Sequence, residues 1–173
     1  VYIGSSRMIK YDPWNGRVTA NISLPVSSAT VYSDPYMLSV QSGGGKYWLI
    51  NWTTTGTSTD FNTRIVSNVT YPFSSLGTVD YESMIAVSTG SITPAGAGHA
   101  LGQFVQAASL TTGQLLWNVT TDDVFYPSTL VVDHGKVTTR VNGGWWDCWN
   151  LQNGQLLWQS AKPGTANGPS YPW

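Results

Sequence analysis

The chemistry open to this chain of 173 residues is limited by its few reactive side chains: nine acids, two histidines and one cysteine. Asp80 and Glu82, two apart on an extended stretch, would share one face and could hold a hard cation such as Ca²⁺; a solvated blade edge accounts for them more simply. Asp122-Asp123 fall in an expected surface loop, where turn chemistry explains them more simply. His99, within Ala97-Gly98-His99-Ala100, and His134, in an expected hairpin turn, have no second ligand type at metal-binding spacing. Cys148 alternates with Asp147 and Trp149 and reads as a buried structural thiol rather than a nucleophile. As the lone cysteine it also excludes an intramolecular disulfide. No Gly-x-Ser-x-Gly elbow anchors a hydrolase triad. Gly96-Ala97-Gly98-His99-Ala100-Leu101-Gly102 imitates a dinucleotide loop, but strand-like Phe104-Val105-Gln106 follows it where a helix is needed. No catalytic residue is assigned, and no metal site beyond the Asp80/Glu82 candidate.

Binding chemistry has more to work with. Trp145-Trp146-x-x-Trp149 is the richest aromatic cluster, of the kind that stacks on sugars, quinones or bases. Strand alternation places Trp145 and Trp149 on one face and Trp146 on the other, so one side is expected in a core. Four Asn-x-Ser/Thr sequons begin at Asn21, Asn51, Asn68 and Asn118; about two would arise by chance in so Ser/Thr-rich a chain.

The elements that position these residues follow from composition. Only 10% of residues are charged, with a net charge of −1, so there is no basic footprint for nucleic acid or an anionic membrane. One Glu and four Lys leave too few solvent-facing helix formers for bundles or coiled coils, and βαβ folds are disfavoured. Thr, Val, Tyr and Trp suit strands. A 41% hydrophobic content with nine Trp builds a core rather than a disordered chain. Apolar runs such as Met84-Ile85-Ala86-Val87 are too short to span a bilayer. With no initiator Met, no signal segment and strand-like Val1-Tyr2-Ile3-Gly4 at the start, the chain reads as a processed product or a fragment.

An internal repeat organises the strands. Leu115-Leu116-Trp117-Asn118-Val119-Thr120 recurs as Ile65-Val66-Ser67-Asn68-Val69-Thr70, Val18-Thr19-Ala20-Asn21-Ile22-Ser23 and Leu156-Leu157-Trp158-Gln159-Ser160. The marker positions Asn21, Asn68, Asn118 and Gln159 lie 47, 50 and 41 residues apart. A turn glycine (Gly16, Gly113, Gly154) stands five residues before three of the markers. In the second repeat Gly56 stands twelve before Asn68, which predicts an insertion around 57–63. Such a period, filled by short strands, belongs to propeller blades. The last unit reads as strands 128–132, 136–141, 145–150 and 155–160; the third contains a Gly-rich excursion over 91–102, and the first begins inside its second strand. Asn21, Asn68 and Asn118 share one repeat position, as glycans on one rim would.

These residues resemble the tryptophan-docking repeats of the pyrroloquinoline-quinone-type (PQQ-like) β-propellers, which follow Ala-x-Asp-x-x-Thr-Gly-x-x-x-Trp. Ala107, Thr112, Gly113 and Trp117 match, with Ser109 in place of Asp. Gly154 and Trp158 match in the fourth unit, while Cys148, Asn150 and Asn153 depart. Asp12 and Gly16 match in the first, where Ala20 stands for the Trp. The resemblance implies that Trp117 and Trp158 are architectural, packing between neighbouring blades, and that the propeller closes with seven or eight units. It also implies, for the family's dehydrogenases, a quinone and Ca²⁺ held by carboxylates, an amide, aromatics and often adjacent cysteines, which are absent here.

The expectation is therefore one all-β repeat domain over 1–173, with four-stranded antiparallel blades near 1–23, 29–70, 78–120 and 124–160, and 161–173 leading into a further blade of a larger propeller. Its expected function is a non-catalytic secreted or cell-surface scaffold without a cofactor. Its expected partners are other blades of a larger protein or identical subunits, and a glycan or protein ligand. The alternatives are part of a PQQ- and Ca²⁺-dependent quinoprotein dehydrogenase, and a carbohydrate-binding module using Trp145, Trp146 and Trp149.

Overall fold

The computed structural model describes residues 1–161 except 5, 27–28, 94, 97, 99–101, 122–128 and 142–143. Among them the chain is all-β, apart from one 3₁₀ turn, Phe61–Arg64. Fifteen strands form four successive antiparallel meanders of the propeller-blade type. The first sheet has β1 (Tyr2–Gly4), β2 (Arg7–Tyr11) and β3 (Val18–Ser23) in that order. The second has β4 (Thr30–Ser33), β5 (Tyr36–Gly43), β6 (Lys46–Thr53) and β7 (Ile65–Tyr71). The third has β8 (Thr78–Asp80), β9 (Ile85–Ile92), β10 (Gly102–Ser109) and β11 (Leu115–Thr121). The fourth has β12 (Val131–Asp133), β13 (Lys136–Arg140), β14 (Trp146–Asn150) and β15 (Leu156–Gln159). Local turn chemistry fixes each hairpin. Between β5 and β6, for example, Gly44 and Gly45 have φ of +58° and +75°, the pair of positive values that a tight two-residue connection needs.

The sheets group into two compact units: Val1–Leu76 with Thr112–Gln114, and Gly77–Thr111 with the described part of Leu115–Trp173. Each unit has its own core. In the first, Met8, Ile22, Leu24, Val26, Met37, Ile50, Trp52 and Phe61 pack together. Trp52 is fully buried, its Nε1 donating to Ser39 Oγ at 3.0 Å and its ring meeting Phe61 edge-on at 5.2 Å. In the second, Ile85, Val87, Val105, Ala107, Trp117, Val137, Val141, Trp149 and Leu151 form the core.

Strand ends differ from the sequence reading in three places. The excursion of the third unit is shorter than 91–102, because Ile92 and Gly102 pair as the last rung of the β9–β10 ladder. Strand β8 stops at Asp80, so Glu82 lies in a turn and shares no strand face with it. The cause is local: Asp80 accepts the Glu82 backbone N–H at 3.0 Å and the Ser83 hydroxyl at 2.8 Å, a side-chain cap that ends the extended run. In the fourth unit β12 begins at Val131 and β14 at Trp146.

Candidate functional site

The outer hairpin of each sheet carries one recurring construction. In all four sheets the ladder between the last two strands slips by one residue at the same repeat position: between Lys10 and Tyr11, Asn51 and Trp52, Ala107 and Ala108, and Cys148 and Trp149. The extra residues on the outer strands are Thr19, Val66, Leu116 and Leu157, all exposed. Such a bulge bends the strand and re-aims the side chain beside it. The residue following it is Ala20, Ser67, Trp117 or Trp158, opposite Lys10, Asn51, Ala107 and Cys148 respectively. Paired Leu115-Leu116 and Leu156-Leu157 break the alternation expected of a half-buried strand and were the available signal; sequence reasoning missed it.

The turn entering the outer strand is equally regular. Around Gly16, Asp12 Oδ1 accepts Trp14 N at 2.8 Å and Asn15 Oδ1 accepts Arg17 N at 2.9 Å. Around Gly154, Asn150 Oδ1 accepts Gln152 N at 2.8 Å and Asn153 Oδ1 accepts Gln155 N at 3.0 Å. Around Gly113, hydroxyls replace the carboxylate and amides: Ser109 Oγ accepts Thr111 N at 3.2 Å and Thr112 Oγ1 accepts Gln114 N at 3.4 Å. The three glycines have φ of +71°, +72° and +71°. The departures at Ser109, Asn150 and Asn153 thus keep the same bonds, because Asp, Asn, Ser and Thr all place an acceptor within reach of the backbone two residues on.

In the second unit, bulge and turn meet across two sheets. Trp117, 8% exposed, reaches from β11 to the fourth sheet, where its Nε1 donates to the Leu151 carbonyl at 2.7 Å. Gly154 lies beneath the ring, where a Cβ would stand 2.7 Å from the indole Cδ2 and Cε3. In the first unit the residue at the Trp position is Ala20, yet the same acceptor position is used. Lys10, directly opposite Ala20, donates from Nζ to the Thr54 carbonyl at 2.6 Å, and Thr54 follows its ladder as Leu151 does. Arg64, 2% exposed, donates to that carbonyl at 3.1 Å and to those of Thr55, Gly56 and Ser58. The predicted insertion is thereby wound around one guanidinium, whose pKa burial lowers. Gly113, grouped with the first unit, presses on β7: a Cβ would lie 2.7 Å from Val69 Cγ2 and clash with the Thr70 carbonyl.

Two counterparts of these joints are uncovered. Trp158 is 46% exposed and every residue of β15 faces solvent. Gly16 has nothing within 4 Å of where its Cβ would be.

The remaining candidates are dispersed. Trp149 is 3% exposed in the second unit's core and Trp145 packs against that core, whereas Trp146 faces the other way at 38% exposure; the three indoles form no common platform. Cys148 is fully buried, and burial pushes its thiol pKa up. His134 pairs with Asp133 at 2.6 Å on an exposed turn. Among the described residues no group of three or more His, Cys, Asp or Glu could hold a metal; His99, Asp122 and Asp123 lie outside the described residues. The marker asparagines Asn21, Asn68 and Asn118 are exposed on the outer strands. Asn51 differs: its Nδ2 donates to the Tyr32 hydroxyl at 2.8 Å and its Oδ1 is buried. Among the described residues no helix is long and apolar enough to cross a membrane.

No family model and no curated protein matches the chain. Among solved structures, BamB from Moraxella catarrhalis is similar at a TM-score of 0.38 and 13% identity, over 90% of this chain and 55% of that one. The chain thus spans about half the length of that structure.

Proposed function

We propose that the chain is a non-catalytic scaffold of PQQ-like propeller blades, in which Trp117 and Gly154 are a docking pair and the outer surfaces serve assembly with protein or glycan partners. The observation that carries this reading is the repeated joint: a donor of one sheet set on the same carbonyl of the next, from Trp117 to Leu151 and from Lys10 to Thr54. The groups with reactive potential are committed to structure. Asp80 caps its turn and Cys148 is sealed in its sheet. On this reading the chain is secreted or displayed at the cell surface, with glycans at Asn21, Asn68 and Asn118. Asn51 is exempt, since the amide nitrogen to be modified is bonded to Tyr32.

The test is a melting experiment on the intact chain with and without Ca²⁺ and quinone, beside a dye-reduction assay. Neither addition should raise the melting temperature or produce turnover, and Trp117→Ala should lower the melting temperature strongly. Quinone- and Ca²⁺-dependent dye reduction would establish the dehydrogenase alternative instead. An unchanged melting temperature in Trp117→Ala would remove the docking role.

A further inference from the structure

The joint that buries Trp117 has both its halves repeated, unmated, elsewhere on the surface. The donor half is Trp158. It follows the bulge residue Leu157 as Trp117 follows Leu116, stands opposite the small Cys148 as Trp117 stands opposite Ala107, and is 46% exposed. The receiving half is the turn 12–16. Its backbone bonds duplicate those of the turn that receives Trp117: Gly16 N to Asp12 O at 2.9 Å matches Gly154 N to Asn150 O at 2.9 Å, and Asp12 N to Arg17 O at 2.8 Å matches Asn150 N to Gln155 O at 2.8 Å. Both glycines have φ +71°. Pro13 therefore holds the place of Leu151, its carbonyl the counterpart of the one that accepts the Trp117 N–H.

We infer that two copies of this chain associate head to tail, the Trp158 indole of one lying over Gly16 of the other and donating to the Pro13 carbonyl. This rests on the scaffold reading and extends its joint between molecules. A second copy is the occupant because each surface finds its complement, already mated once inside the chain, on the same polypeptide. The turn also carries Trp14, 94% exposed where the mated turn has Gln152, an aromatic of the kind that anchors interfaces. The contact joins two different surfaces, so it is heterologous and either closes into a ring or propagates.

Sedimentation velocity over a concentration series tests the inference. The chain should sediment above its 18.8 kDa mass in a concentration-dependent way. Trp158→Ser and Gly16→Ala, the second placing a methyl where the indole must lie, should each sediment as monomers while keeping the circular dichroism of the parent. Mixing them should restore a dimer, since one supplies an intact turn and the other an intact indole. Leu157→Ser should associate like the parent, as Leu116 stays 44% exposed beside the mated joint. A monomer at high micromolar concentration overturns the inference, as does association that survives Trp158→Ser, or a mixture that stays monomeric. The reading of Trp117 is judged separately, by the melting temperature of its own variant.

Discussion

At the residue scale, Trp117 joins two sheets by area and by one hydrogen bond, and the two can be separated. Trp117→Ala removes both and should cost about 3–5 kcal/mol. Trp117→Phe keeps most of the ring but leaves the Leu151 carbonyl unpaired, a loss of ~1–3 kcal/mol. Denaturant titration of both variants measures the difference. The glycines give a matched pair of the same kind. At dilutions where the chain is a monomer, Gly16→Ala bears the left-handed backbone cost alone, about 1–2 kcal/mol, because nothing in its own chain lies near the new methyl. Gly154→Ala bears that cost and also displaces the Trp117 ring, 2.7 Å away, so it should melt lower than Gly16→Ala. Equal melting temperatures would mean that the indole is not seated on Gly154. Arg64 was not visible as a structural residue in the sequence. Nothing in Asn62-Thr63-Arg64 announces that its guanidinium will collect four carbonyls from a loop up to ten residues upstream.

At the element scale, the outer hairpin is specified by interchangeable acceptors rather than by one motif. Asn150→Asp should be tolerated, since Asp12 makes the equivalent bond in the first sheet. Asn150→Ala loses the bond to Gln152 and should cost ~0.5–1.5 kcal/mol; thermal melts of the pair decide it. The bulge makes a second, contrasting expectation. Leu116 is the extra residue and is exposed, so Leu116→Gln should change stability by no more than about 0.5 kcal/mol, although its neighbour Trp117 is the most sensitive position of the strand. A large loss in Leu116→Gln would show that the slip does not turn that side chain outward.

At the scale of the whole molecule, the pH dependence of stability follows from two buried acids. Burial raises the Tyr71 phenol above its ordinary 10.0 and the Cys148 thiol above its ordinary 9.0. Tyr71 also donates its hydroxyl to the Leu76 carbonyl at 3.2 Å. Each group holds its proton more tightly folded than unfolded. Their stabilisation is therefore complete below the unfolded values and is lost as pH rises through 9.0 and 10.0 toward the folded ones. The melting temperature should fall across that alkaline range, and Tyr71→Phe should flatten the upper part. A slope unchanged in Tyr71→Phe would assign the loss to other groups. Expression through a glycosylating secretory pathway, followed by intact-mass analysis, should find glycans at Asn21, Asn68 and Asn118 and none at Asn51.

The four-fold repeat, the all-β class and the positions of the turn glycines were legible in the sequence, because they are local: strand preference, positive φ and side-chain caps act over a few residues. The even strand alternation of Trp145, Trp146 and Trp149 was legible for the same reason, and it divides them between two faces as observed. What only the tertiary structure decided was which surfaces are covered. Trp117 and Trp158 occupy one motif position and have nearly the same neighbours in sequence, yet one is buried over Gly154 and the other stands open. Among the described residues a second sheet receives the Trp117 indole and none covers that of Trp158, and that is a property of packing between distant segments, to which no local pattern is sensitive.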